Sequence, residues 1–227
     1  MPFLHGVAEL FAPTRCAGCE MPGALLCEAC DASLPRVEPT YACPRCGAPF
    51  GFLVCTECWR SEFAFEACVS LGVLDGALAR SVVIHKDASE RRLGAVLGRM
   101  LAHVALRAWP QWPDVVTWVP ATAAAMRRRG FDHGWGIAAP VAEEFGLEPR
   151  AILTRGRARD QRVLDKADRA SNAAGTFAVA NAELPVGARV LIVDDVLTTG
   201  ATLDAAAEAI LSAGAGAVRA AVLARAW

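Results

Sequence analysis

Val190 to Thr202 reads Val-Leu-Ile-Val-Asp-Asp-Val-Leu-Thr-Thr-Gly-Ala-Thr, and no other stretch of the chain restricts its fold as tightly. The first four residues are apolar and mostly β-branched, the pattern of a strand buried on both faces in a parallel sheet. Two adjacent carboxylates, Asp194 and Asp195, follow where that strand is expected to end. Thr198, Thr199, Gly200 and Thr202 make a small hydroxyl-rich loop, and Asp204-Ala-Ala-Ala-Glu-Ala-Ile-Leu continues as a helix. Backbone N–H groups and the dipole at such a helix start receive a phosphate. The carboxylates can take ribose hydroxyls or a magnesium ion. This spacing sets the run apart from an ordinary strand–turn–helix and makes it a candidate cradle for a phosphorylated sugar.

With 227 residues, the chain has room for one α/β domain and a small accessory module. The net charge of −1 selects no partner, but its distribution is uneven. Residues 80–170 carry 16 basic and 10 acidic side chains, whereas residues 1–79 carry 4 and 9. The middle segment suits a polyanion as well as it suits a solvated surface. No run of 18 apolar residues would span a membrane, and the N-terminus lacks the basic and apolar regions of a secretory signal. A cytoplasmic location is expected, where thiols stay reduced and paired cysteines mean metal.

Eight of the nine cysteines form four CxxC pairs: Cys16/Cys19, Cys27/Cys30, Cys43/Cys46 and Cys55/Cys58. Each pair is a knuckle with two thiolates, and two knuckles complete a tetrahedral zinc site. Two closed, structural zinc ions are expected. Sequential pairing makes each unit self-contained; an interleaved cross-brace fits the spacing too. Four copies outside a βαβ context argue against redox chemistry. Cys68 stands alone and is expected to be a small buried strand residue. The chain divides on this reading into residues 1–62, a metal-supported module, and residues 63–227.

Beyond Trp59, strands are expected at Ala67–Leu74, Val115–Val119, Ala151–Thr154, Thr176–Ala180, Arg189–Val193 and Ala217–Leu223. Helical periodicity covers Ala77–Ile84, Ser89–Ala108 with Ser89 as N-cap, and His133–Phe145, which Pro140 should kink or restart. Arg127, Arg128, Arg129 and Gly130 are expected in a loop. Strands that alternate with helices give a parallel-dominated sheet, with ligands beyond the C-terminal strand ends. Pro120–His133, Arg155–Asn172 and Asp194–Thr202 should converge there. Only two lysines occur, Lys86 and Lys166, against 21 arginines. Trp109, Trp112, Trp118 and Trp135 read as core residues, with base stacking the competing use.

The Asp194–Thr202 run resembles the phosphoribosyl-pyrophosphate (PRPP) loop of type I phosphoribosyltransferases. With the cysteine pairs, the whole chain from Leu10 to Ala224 resembles the ComF family (competence protein F, GntX-like). These are type I phosphoribosyltransferase domains, Rossmann-like and parallel-dominated, behind an N-terminal double zinc ribbon with four cysteines to each zinc. Further matches are Lys86-Asp87, Val119-Pro120, Arg129-Gly130-Phe131-Asp132-His133, and Gln161, Leu164, Arg169, Asn172 and Phe177. Asp87 stands where the family has an aromatic residue, and Asp132 and His133 where it has Asn and Gln. His133 is expected as a capping or surface residue.

The resemblance implies that Lys86, Pro120, Arg129 and Gly130 contribute to PRPP binding, with the loop after Pro120 on the pyrophosphate. Asp194 and Asp195 would hold ribose hydroxyls. Val196, Leu197, Thr198, Thr199, Gly200, Ala201 and Thr202 would form the loop that cradles the 5′-phosphate. Arg162, Lys166 and Arg169 would be catalytic residues of a lid that neutralises leaving pyrophosphate, with magnesium bound to PRPP. Two activities are implied: phosphoribosyl transfer to an unidentified acceptor, or non-catalytic PRPP binding in natural competence. The second would bring single-stranded DNA and competence machinery proteins as partners.

Overall fold

In the computed structural model, residues 13–87, 90–155, 176–179 and 184–227 are described. Among the described residues there are six strands: β1 (Cys68–Val73), β2 (Val115–Trp118), β3 (Leu153–Arg155), β4 (Phe177–Val179), β5 (Arg189–Leu197) and β6 (Ala217–Arg225). The α-helices are α1 (Glu28–Ala32), α2 (Thr56–Trp59), α3 (Gly76–Asp87), α4 (Arg91–Ala108), α5 (Ala123–Arg129), α6 (His133–Glu144) and α7 (Ala201–Ser212). Strands β1, β6, β5 and β2, in that order, form one wholly parallel sheet. Strands β3 and β4 pair antiparallel in a separate two-stranded ribbon, so the strand expected at Ala151–Thr154 does not join the main sheet.

Burial on both faces follows from the period-2 alternation of strand side chains. Val190 and Ile192 of β5 pack with Leu203, Ala206 and Ile210 of α7, while Leu191 and Val193 pack with α4 and α6 on the opposite face. Helix α4 supplies Leu93, Leu97 and Leu101, an i, i+4, i+8 stripe that is fully buried. Gly94 and Gly98 lie beside it. A Cβ on Gly98 would stand 2.3 Å from Pro140 Cγ and 2.6 Å from the Ile137 carbonyl, so only glycine lets α4 and α6 approach this closely. Helix α6 runs through Pro140 without restarting.

Several expectations shift. The arginine triplet ends helix α5 rather than lying in a loop: Thr122 Oγ1 accepts from Ala125 N (3.1 Å), and Gly130 closes the helix at φ 72°. Ser89 lies outside the described residues, and the Glu90 carboxylate caps α4 by accepting from Arg92 N (3.2 Å). Strand β5 does not stop at Val193. Its pairing with β2 ends there, but its ladder with β6 continues to Leu197 opposite Arg225. Asp194 and Asp195 therefore sit at a step where one neighbouring strand has ended and the other goes on. Trp118 is buried and Trp109 and Trp112 are partly buried, whereas Trp135 is exposed and has no core role.

The cysteine pairs close sequentially. Cys16, Cys19, Cys27 and Cys30 form one set, and Cys43, Cys46, Cys55 and Cys58 the other, each with its sulfurs within 4.8 Å of one another. The interleaved alternative is thereby excluded. The first set leans on α3, where Arg80 Nη1 donates to the Gly18 carbonyl (2.9 Å) and a Cβ on Gly18 would strike Cys30 Sγ. The second set is buried and shares a core with Phe65, Val218 and Ala220 of the sheet side. Ser70 Oγ of β1 donates to the Gly47 carbonyl (2.6 Å) at the same contact. Cys68 is buried in β1, where burial pushes its thiol well up.

Candidate functional site

A cleft of about 680 Å³ opens where β2 ends and β5 continues. Lys86, Pro120, Thr122, Arg128, Arg129, His133, Arg155, Asp194, Asp195, Val196, Thr198 and Thr202 are among the residues that line it. The chain reaches it from four directions: the end of α3, the β2–α5 turn, the start of α6, and the β5–α7 loop.

Asp195 is the centre of its charge network. Lys86 Nζ lies 2.5 Å from Asp195 Oδ2, and His133 Nε2 lies 3.3 Å from the same oxygen. On the far side of the imidazole, Arg129 Nη1 is 3.2 Å from His133 Nδ1. A guanidinium can only donate, so Nδ1 must accept, and a neutral His133 then carries its proton on Nε2, facing the carboxylate. Arg129 is held in turn by Asp87 Oδ1, which accepts from its Nη2 at 2.9 Å. The result is a chain Asp87–Arg129–His133–Asp195–Lys86. Arg129 thus joins Asp87 to His133.

Environment separates the two carboxyls. Burial works against the Asp195 carboxylate, but the His133 hydrogen bond and the Lys86 charge outweigh it and hold the group down at about 2. Asp194 has no such donors. Burial first, then the negative charge of Asp195, pushes its carboxyl up to about 8. Its Oδ1 accepts from the Asp195 backbone N–H (2.9 Å).

The loop beyond is shaped by backbone. Gly200 adopts φ 86° as N-cap of α7 and brings no side chain to its N–H groups. Thr199 Oγ1 accepts from Ala201 N (3.4 Å), and the loop borders a small hollow lined by Asp194 and Val196–Leu203. A Cβ on Gly200 would meet the Phe63 ring at 2.7 Å, so the segment after the cysteine units closes over this loop. Asp204 Oδ1 fixes that segment by accepting from Ala64 N (2.7 Å).

The structure brings together Lys86, Pro120, Arg129, Asp194, Asp195, Val196, Thr198 and Thr202 at the cleft. Leu197, Thr199, Gly200 and Ala201 line the adjoining hollow. Gly130 does not line the cleft; it is the αL cap of α5, with its carbonyl accepting from Arg91 Nη2 (3.0 Å). Arg162, Lys166 and Arg169 lie outside the described residues. His133, expected as a capping or surface residue, is buried at the start of α6; its carbonyl lies 3.1 Å from Nε2 of His85, for which Gly94 and Gly136 leave room. The i, i+4 spacing of Arg129 and His133 was the available signal. Arg155, expected only as the start of a converging segment and not as a site residue, lines the cleft: its Nε donates to the Pro120 carbonyl (2.8 Å) and its guanidinium lies over the Phe177 ring at 4.9 Å.

The cysteine sets fit zinc. A tetrahedron with Zn–S bonds of about 2.3 Å has edges of about 3.8 Å, and Cys19–Cys27 and Cys46–Cys55 sulfurs are 3.7 and 3.6 Å apart. Backbone N–H groups of Gly18 and Cys27 donate to Cys16 Sγ, and that of Cys55 to Cys43 Sγ. Burial opposes ionisation of Cys16, yet these donors bring its thiol down to about 6, while burial and neighbouring sulfurs push Cys30 up to about 12. A divalent cation relieves that conflict.

Residues 132–226 match the phosphoribosyl transferase domain family. The DNA utilization protein YhgH of Escherichia coli K12 and that of Salmonella typhi are each 32% identical to this chain, over 92% of its length and 96% of theirs. The chain belongs to the ComF family. A glutamine PRPP amidotransferase from B. subtilis aligns at a TM-score of 0.41 and 26% identity, and an allosteric regulatory enzyme of purine biosynthesis at 0.42 and 20%. The alignments cover 56% and 57% of this chain and 25% and 26% of those enzymes. The family's α/β fold, with a parallel sheet behind two four-cysteine clusters, is the fold described above. Among the described residues, no helix is long and apolar enough to cross a membrane.

Proposed function

We propose that the cleft binds PRPP and that the protein transfers its phosphoribosyl group to an acceptor, with release of pyrophosphate. The observation that carries this reading is the convergence of the Asp194–Asp195 pair, Lys86 and the uncapped start of α7 on one cleft. The helix start suits the 5′-phosphate, and the carboxylates suit the ribose hydroxyls. Lys86, Arg128, Arg129 and Arg155 give the cleft the positive charge that a pyrophosphate requires. Magnesium, bound with PRPP, would neutralise part of that charge.

Transfer forms a bond from the acceptor to C1 of the ribose as the C1–O bond to pyrophosphate breaks, and the electron pair leaves with pyrophosphate. The transition state is cation-like at C1, so positioning and charge do the work and no protein nucleophile is needed. Arg162, Lys166 and Arg169 are assigned on this reading to the leaving pyrophosphate. The two cysteine sets each hold zinc, and residues 1–62 act as a support for residues 63–227.

A second reading is favoured by the relatives' description as DNA utilization proteins: PRPP binds without turnover, and the partner is single-stranded DNA. Calorimetric titration of PRPP with and without magnesium, on wild type and Asp195→Asn, tests both. Wild type should bind, and the variant should bind at least about tenfold more weakly, the effect of one lost charge-assisted contact. No binding by wild type overturns both readings. Pyrophosphate release with a base from a purine and pyrimidine panel supports transfer. Binding without release, together with salt-dependent affinity for single strands, supports the DNA role.

A further inference from the structure

Arg225, the last residue of β6, is buried and does not line the cleft. Its Nη1 donates to the Thr198 carbonyl (2.7 Å) and the Leu197 carbonyl (3.3 Å), and also to the Ala226 carbonyl. Its Nη2 donates to Glu57 of α2, the helix that carries Cys58. The guanidinium also lies against the Cys46 sulfur, and its buried Nε has no hydrogen-bond partner among the described residues. One side chain therefore touches both the second cysteine set and the loop that lines the cleft.

Peptide geometry gives this contact a consequence. In a trans peptide the carbonyl and the following N–H point in opposite directions. Holding the Leu197 and Thr198 carbonyls toward Arg225 turns the Thr198 and Thr199 N–H groups away from it. That is the orientation an anion in the Thr198–Thr202 hollow needs. On the other side, zinc with four thiolates is a dianion, and the Arg225 guanidinium lies beside Cys46 of that centre.

We propose that Arg225 is a positioning residue linking the second cysteine centre to the phosphate loop, so that zinc in that centre and a phosphate ligand on the loop stabilise each other. The mutual effect is required because coupling between two binding sites is reciprocal. The loop-ordering part stands without a ligand; the coupling part rests on the reading of the cleft as a PRPP site.

Hydrogen exchange on the zinc-loaded, ligand-free full chain tests the first part. In Arg225→Met the Asp204 amide, which donates to the Gly200 carbonyl of the loop (2.8 Å), should exchange about tenfold faster than in wild type, the effect of one lost charge-assisted hydrogen bond. The Val190–Val193 amides should keep their protection. Unchanged Asp204 exchange with both zinc ions retained overturns the inference. If the β5 amides also lose protection, the variant has not folded, and wild type decides. There, magnesium-saturated PRPP should slow transfer of one of two zinc ions to a chelator severalfold, and equal rates with and without PRPP overturn the coupling. Calorimetry on the same wild-type sample separates the failures: absent PRPP binding sinks the ligand assignment, and the exchange result still judges Arg225.

Discussion

Asp194→Asn should stabilise the ligand-free protein at neutral pH, although it alters a residue at the heart of the cleft. The Asn oxygen can still accept from the Asp195 N–H, so the local hydrogen bond survives. What changes is proton linkage. Burial, then the neighbouring Asp195 charge, raises the wild-type carboxyl from 3.8 to about 8, so the folded state keeps a proton that the unfolded chain gives up. The contribution of the protonated Asp194 to stability is thus fully present below 3.8 and falls as pH rises toward 8, by about 1.4 kcal/mol per pH unit. Asparagine has no such dependence. The gain of the variant over wild type should grow from about 2 kcal/mol at pH 5 to about 4 kcal/mol at pH 7 and level off above pH 8. A gain of that size corresponds to roughly 10 °C in melting temperature for a chain of this length. Asp195→Asn should do the opposite. Burial opposes its ionisation, but His133 and Lys86 hold the carboxylate at about 2. Its stabilisation is complete above 3.8 and lost only as pH falls toward 2, so the variant should lose about 2 kcal/mol at pH 5 and less toward pH 8, where removing its charge also eases ionisation of Asp194. Urea denaturation of both variants in zinc-containing buffer at pH 5, 6, 7 and 8 measures these differences. A gain for Asp194→Asn that is absent, or that does not change with pH, would refute the argument.

Two other outcomes are expected. Gly98→Ala places a methyl 2.3 Å from Pro140 Cγ and 2.6 Å from a backbone oxygen that cannot rotate away, so α4 and α6 must separate at a cost of about 1–3 kcal/mol, visible as a lower melting temperature. Metal analysis should find two zinc ions per chain, and Cys16→Ser and Cys43→Ser should each lose one; Cys43→Ser should also melt lower, because its set is buried and shares the sheet core while Cys19 of the other is exposed.

Much of the site was legible in the sequence, because its parts are contiguous. The strand, acidic pair, threonine loop and helix start follow one another within a single βα unit, and the CxxC spacing confines each thiolate pair to one knuckle. His133, Arg155 and Gly130 were misplaced or missed for a shared reason. Their roles depend on neighbours distant along the chain: His133 on His85, Arg155 on Pro120, and Gly130 on Arg91, which donates to its carbonyl. The arginine triplet, taken for a loop, closes a helix because Thr122 caps it and Gly130 can adopt φ 72°.

By itself, the sequence determined what local chemistry can specify: a two-sided buried strand, a phosphate-ready helix start, and four thiolate pairs. Period-2 burial, cap geometry and ligand spacing are all properties of neighbouring residues. The tertiary structure alone decided which charges meet. Lys86, Arg129, His133 and Asp195 come together because α3 and α5 end, and α6 begins, beside the step where β2 stops and β5 runs on against β6. That step gives the two adjacent aspartates opposite proton affinities. The same fold sets Arg225 between the second cysteine set and the loop, a contact that spans 168 residues from Glu57 and that no local pattern announces.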